Sequence, residues 1–167
     1  MYNRRFPFHH TPASGKRLDF IRIMIAIIAE KPSVGQEIAR VVGATEKKDG
    51  YITGNGYMVT WALGHLVSLA LPGTYGYTRT TAEDLPMLPE PFRLVERQIR
   101  TDRGMVTDIA AGRQLKVIDG VFSECDSIIV ATDAGREGEL IFRWIYSHLG
   151  CTKPFKRLWF SSLTDEA

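Results

Sequence analysis

Four carboxylates and a lysine stand where apolar runs give way to helical patterns. Glu30 and Lys31 follow the run Ile25-Ala26-Ile27-Ile28-Ala29, and Asp133, Glu137 and Glu139 follow Ile128-Ile129-Val130-Ala131-Thr132. Acids at the carboxyl end of a buried parallel strand are where an open α/β sheet places its chemistry. Such hard oxygen donors suit Mg2+, which is usually held by one or two carboxylates together with substrate phosphates. Lys31 can pair with a phosphate oxygen. Arg136 opens a helix, whose unpaired N–H groups also favour an anion. In a parallel sheet both strand ends lie on one edge. If the two strands are neighbours, Glu30, Asp133 and Glu137 come within reach of one cation. That arrangement would hold a phosphodiester beside a divalent metal. The competing reading is a salt-bridged, N-capped helix start with no chemistry attached.

A few elements must position these groups. Residues 25–29 form a short continuous apolar run, the pattern of a strand buried on both faces. Pro32 stops it, and Ser33 is placed to cap the next helix. Val34, Ile38, Val41 and Val42 share one face of that helix, and Gly43 ends it. Strand-like pieces follow at 51–53, 57–63 and 66–71, the first two joined by the turn Gly54-Asn55-Gly56. Residues 72–92, rich in Pro, Gly and Tyr, read as an ordered surface loop. Mixed helical periodicity runs over 103–122 through Met105, Ile109, Leu115 and Ile118. Residues 127–132 form a second buried strand. The best helix covers 136–149, with Leu140, Ile141, Trp144, Ile145 and Leu149 on one face and Gly150 closing it. Residues 157–160 read as a final strand. This order implies an α/β fold, a parallel sheet of about four strands flanked by helices. Trp144 and Trp159 sit in apolar patterns and are expected in the core. No G-x-G-x-x-G follows the first strand, which argues against a dinucleotide-binding fold.

At 167 residues the chain has the length of one domain with room for a sizeable core. Its net charge of +2 is uneven. Residues 1–23 carry Arg4, Arg5, Lys16, Arg17 and Arg22 against Asp19 alone, or +4, which leaves −2 for 24–167. We expect 1–23 to be a disordered basic leader and 24–167 the folded body. Bulk charge does not mark that body as a nucleic-acid binder, so any such binding rests on local placement of Lys31, Arg136 and their neighbours. The small basic clusters Lys47-Lys48 and Lys153, Lys156 and Arg157 read as solvated faces. Cys125 and Cys151 lack metal-ligand spacing and read as reduced thiols of a cytoplasmic protein. The longest apolar run is too short to cross a bilayer, and no membrane partner is expected.

The two acidic motifs, Ala29-Glu30-Lys31-Pro32-Ser33 and Ala131-Thr132-Asp133-Ala134-Gly135-Arg136-Glu137-Gly138-Glu139, together resemble the Toprim (Rossmann-like) domain of type IA DNA topoisomerases, in particular the topoisomerase III-like subgroup. Trp61-Ala62-Leu63-Gly64-His65-Leu66, Asp84-Leu85-Pro86-Met87-Leu88-Pro89 and Leu158-Trp159-Phe160-Ser161-Ser162-Leu163-Thr164 are similar to that subgroup too. The resemblance spans roughly 24–167. It implies that Glu30 sits near a scissile DNA phosphate for acid–base or metal work and that Lys31 contacts that phosphate. It implies that Asp133 and Glu137 are the first and last acids of an Asp-x-Asp-x-Glu motif that binds Mg2+, with Arg136 between them. Gly135 departs from the pattern, standing where many members have the middle aspartate. Fewer carboxylates and more water, compensation by Glu139 or Glu30, or weaker metal binding all remain open.

The implied reaction is ATP-independent. A tyrosine attacks a phosphodiester of single-stranded DNA, another strand passes, and the break is resealed. The resemblance places that tyrosine in a later topoisomerase domain, so this chain carries no nucleophile and is not expected to cleave and rejoin DNA alone. Tyr77-Thr78-Arg79-Thr80 is similar to the Tyr-x-Arg stretch around the catalytic tyrosine but falls in the Pro/Gly-rich loop, and is read as surface. His65 reads either as a residue lining the DNA-facing surface or as a structural histidine in a turn. The alternatives are another Toprim phosphotransfer module, such as a primase or nuclease, and a DNA-binding module without catalysis. A cytoplasmic, nucleoid-associated location follows from the resemblance.

Overall fold

A computed structural model describes residues 23–77, 81–102, 104–159 and 164. Apart from Ile23, the leader lies outside the described residues. So do Thr78-Arg79-Thr80 and Phe160-Ser161-Ser162-Leu163.

The sheet is built around β1 (Ile25–Ala29), whose side chains from Ala26 to Ala29 are almost wholly buried. Burial on both faces is the reason for its unbroken apolar run. It pairs in parallel with β4 (Tyr57–Trp61) on one side and β9 (Ser127–Ala131) on the other. Beyond β9 lies β10 (Phe155–Arg157), also parallel. Beyond β4 lie β3 (Tyr51–Gly54) and β2 (Glu46–Lys48), both antiparallel, giving the order β10-β9-β1-β4-β3-β2. The four parallel strands match expectation, and two antiparallel strands widen the sheet to six. The reason is local: Asn55 and Gly56 both have positive φ, as a two-residue hairpin turn demands, and this folds β3 back on β4. Lys47 and Lys48 lie exposed on the edge strand, where charge discourages pairing with another chain.

Helix α1 (Pro32–Val42) covers one face of the sheet, packing with Ile27, Ala44, Ile52, Val59 and Ala131. The other face receives α2 (Ile109–Glu124) and α3 (Arg136–His148), which bring Leu115, Ile118, Phe122, Ile141, Phe142 and Ile145 against Ala26, Ile28, Ile128 and Val130. Successive strand residues thus alternate between the two layers. Each large side chain so buried contributes about 1.5–3 kcal/mol. Gln114 crosses from α2 to the sheet, donating to the carbonyls of Trp61 (2.8 Å) and Gly50 (3.2 Å) and to Thr60 Oγ1 (3.2 Å). Cys125 and Cys151 are free thiols, and burial pushes Cys125 up to about 11.

Several boundaries differ from expectation. Ser33 caps nothing: Lys31 is the cap residue and Pro32 takes the first helical position, where its missing N–H is harmless. Met105 belongs to no helix but to a hairpin of β7 (Gln98–Thr101) and β8 (Gly104–Thr107), because Asp108 caps α2 only afterwards. A second small pairing joins β5 (Val67–Leu69) to β6 (Leu94–Glu96). The last strand ends at Arg157 rather than beginning there, so Trp159 leaves the sheet and is 74% exposed instead of lying in the core. Trp144 is half-buried against the main core.

Candidate phosphate and metal site

All four parallel strands point their carboxyl ends at one edge. β1 and β9 run in register there, Ala29 opposite Ala131, so Glu30 and Asp133 emerge side by side. The Asp133 N–H donates to Glu30 Oε2 at 3.3 Å. Lys31 is exposed beside them, and its carbonyl accepts the Gly35 N–H at 3.0 Å. Gly35 lets α1 sit close on the sheet, since a Cβ there would lie 2.8 Å from the Trp61 ring.

The acidic turn is held by its backbone. Thr132, buried, donates its hydroxyl to the Gly138 carbonyl at 2.7 Å. Arg157 of β10 donates to the Thr132 carbonyl at 3.0 Å. The Gly135 N–H reaches back to the Asp133 carbonyl at 2.8 Å. The first turn of α3 lies directly on this bend: a Cβ on Gly138 would fall 2.2 Å from the Asp133 carbonyl oxygen and 2.7 Å from its nitrogen. Only glycine fits. Gly135 differs. Its φ of −141° is ordinary extended backbone, and a Cβ there would meet nothing within 4 Å. No side chain caps α3, so Asp133 is not spent on the helix.

The acids separate by their partners. Asp133 and Arg136 are exposed on the turn. Glu137, also exposed, has its Oε1 against His65 Nε2. Glu139 is fully committed: Oε1 accepts from Arg143 at 2.6 Å and Oε2 from Arg157. The Arg143 hydrogen bond, with Arg157 assisting, holds its carboxyl below the usual glutamate range. Among the described residues no group of three or more His, Cys, Asp or Glu side chains is arranged to hold a metal ion. The structure therefore brings Glu30 to Asp133 and His65 to Glu137, without gathering all the acids at one point. Asp133 and Glu137 are exposed hard oxygen donors on one turn, and their chemistry fits Mg2+, which needs only one or two carboxylates and keeps several waters.

Sequence reading missed Gly138, Thr132 and Arg157. A glycine inside a helical pattern was the available signal for close backbone approach. Arg157 was read as part of a solvated cluster, but its side chain is only 19% exposed and ties β10 to the acidic turn. Trp159 joins Arg136, Arg143, Arg157 and Leu140 around an open cavity of about 550 Å³ beside that turn. Tyr77 follows a short 3-10 turn at Pro72–Tyr75 and is half-buried.

A mostly parallel sheet with acids just after two neighbouring inner strands, one of them leading into a helix, defines the class: the chain belongs to the Toprim domain family, which matches residues 25–163. Within that family it is similar to particular enzymes. It is 46% identical over 145 residues to DNA topoisomerase 3 of Bacillus licheniformis and, to the same extent, to that of Bacillus subtilis. It is 47% identical over 146 residues to DNA topoisomerase 3 of Shouchella clausii. These similarities cover 84–85% of the chain but only 18% of each relative's length. No helix among the described residues is long and apolar enough to cross a membrane.

Proposed function

We propose that this chain is the N-terminal Toprim part of a topoisomerase III-like type IA enzyme, holding the scissile phosphate of a single DNA strand for ATP-independent cleavage and rejoining. The in-register pairing of β1 with β9 carries this reading, because it sets Glu30 and Lys31 beside Asp133 at one sheet edge. Lys31 and Arg136 bind and orient the phosphate through charge. Glu30 stands by to hold or pass a proton at the leaving or attacking oxygen. Asp133 and Glu137 are the residues that would hold Mg2+, which supplies charge stabilisation to the phosphoryl oxygens. The nucleophilic tyrosine belongs to the remaining topoisomerase domains, which are this chain's protein partners, and the protein acts at the nucleoid in the cytoplasm.

The test is an in-frame fusion of this chain to the downstream part of a DNA topoisomerase 3, assayed on negatively supercoiled plasmid with Mg2+ and no ATP. Relaxation that disappears in the Glu30→Gln and Lys31→Ala variants is expected. A well-folded fusion without relaxation would sink the reading in favour of a DNA-binding module, which Gly135 makes the second choice.

A further inference from the structure

We infer that His65 is a positioning residue for Glu137, its Nε2–H holding one carboxylate oxygen so that the other faces a divalent cation. This rests on the reading of Glu137 as a Mg2+ ligand. Glu137 lies on the first turn of α3 with its side chain 69% exposed, so without a partner it would range over many rotamers. His65 Nε2 engages Oε1 alone and leaves Oε2 to ligate.

The histidine is itself held from several directions. Its ring lies against Trp144 of α3, with centroids 5.6 Å apart and planes tilted by 55°. Its carbonyl accepts from Arg97 Nη1 at 3.3 Å, and the same nitrogen reaches the Leu63 carbonyl at 2.8 Å. Arg97 in turn donates from Nε to Asp108 at 2.8 Å. A chain of contacts thus runs from the start of α2 through the loop after β4 to Glu137.

The other ring nitrogen, Nδ1, is buried with no hydrogen-bond partner. A proton there would be an orphaned donor, so the tautomer that fits is Nε2–H, the form that donates to a carboxylate. With Nδ1 buried and Nε2 committed to Glu137, neither nitrogen is left to touch DNA. His65 therefore acts through Glu137. Partners of this kind orient metal ligands, and their loss typically costs 10–100-fold in metal affinity.

The experiment is Mn2+ binding by the whole chain, followed by electron paramagnetic resonance without DNA. His65→Phe keeps a ring against Trp144 and removes the donor. It should melt like the wild type and bind Mn2+ roughly 10–100-fold more weakly. His65→Gln, which offers an amide N–H, should recover most of the affinity. The pair His65→Gln and His65→Met, similar in size and differing in the donor, carries the same comparison should the Phe variant not fold. Equal affinity in His65→Phe and wild type, or equal loss in the donor and non-donor variants, overturns the inference alone. A wild-type chain that takes up no Mn2+ overturns the reading of Glu137 and the inference with it.

Discussion

Helices α2 and α3 both begin beside an aspartate, and the two starts use it in opposite ways. At α2, Asp108 is the cap: its Oδ1 accepts the Ala110 N–H at 2.9 Å and its Oδ2 pairs with Arg97. That is the salt-bridged, capped start that competed with chemistry as a reading of the acidic turn. At α3, no side chain caps the helix, the cap residue is Gly135, and Asp133 stands two residues earlier with its carboxylate exposed. The bend there is set by Gly138, Thr132 and Arg157. Where backbone packing fixes a helix start, the aspartate before it is released from capping, even though Glu139 in the first turn stays held by two arginines. Where a carboxylate fixes it, nothing is left to bind.

The contrast can be broken most forcefully at Gly138. Gly138→Ala drives a methyl into the Asp133 backbone, and should cost about 3 kcal/mol or more, seen as a fall in Tm of at least ~6 °C in thermal melts. An unchanged Tm would mean that backbone contact does not set the bend. Asp133→Asn should leave Tm within ~2 °C and weaken Mn2+ binding by roughly tenfold or more. Loss of stability without loss of metal would return Asp133 to a structural role. Gly135→Asp sharpens the comparison from the other side. The new side chain enters open space, so titration calorimetry should show roughly tenfold tighter Mn2+ binding at unchanged stability.

The smallest effect is at α2. The Arg97 hydrogen bond holds the Asp108 carboxyl below its ordinary value. A lowered folded pKa adds stability above the unfolded value, near ~4, and that stability is lost as pH falls through the folded value. Asp108→Asn should therefore lower Tm by ~2 °C at pH 7, converge with wild type at lower pH, and leave Mn2+ binding alone. A difference that grows as pH falls would contradict the pairing.

The central strands and the three α-helices of the described residues were legible, because buried strands and amphipathic helices write themselves into apolar spacing. The meeting of Glu30 with Asp133 followed only on the condition that their strands be neighbours, which the β1–β9 pairing meets. The β7–β8 hairpin was not, since Met105 and Ile109 mimic a helical interval across an actual chain reversal. Ser33 looked like a cap because caps are local, but Pro32 had already begun the helix. Trp159 looked like core because its neighbours are apolar, yet the strand ends at Arg157. Most opaque were the commitments of the acids. Glu137 and Glu139 stand two residues apart in one motif, and only the fold shows one beside His65 and the other between two arginines.

The register of β1 on β9 also bears on how the molecule is made. Glu30 meets Asp133 across 103 residues of chain, and Arg157 then reaches back to the same turn across 25 more. A contact with the span of Glu30 on Asp133 requires costly loop closure and forms late. During synthesis the first half of the site is exposed for most of the chain's emergence, and the site closes only when the strand bearing Arg157 has left the ribosome. A truncation before Phe155 should therefore yield a chain whose acidic turn lacks its Arg157 brace and rests on Thr132 and Gly138 alone, however intact α1 and the β3–β4 hairpin are.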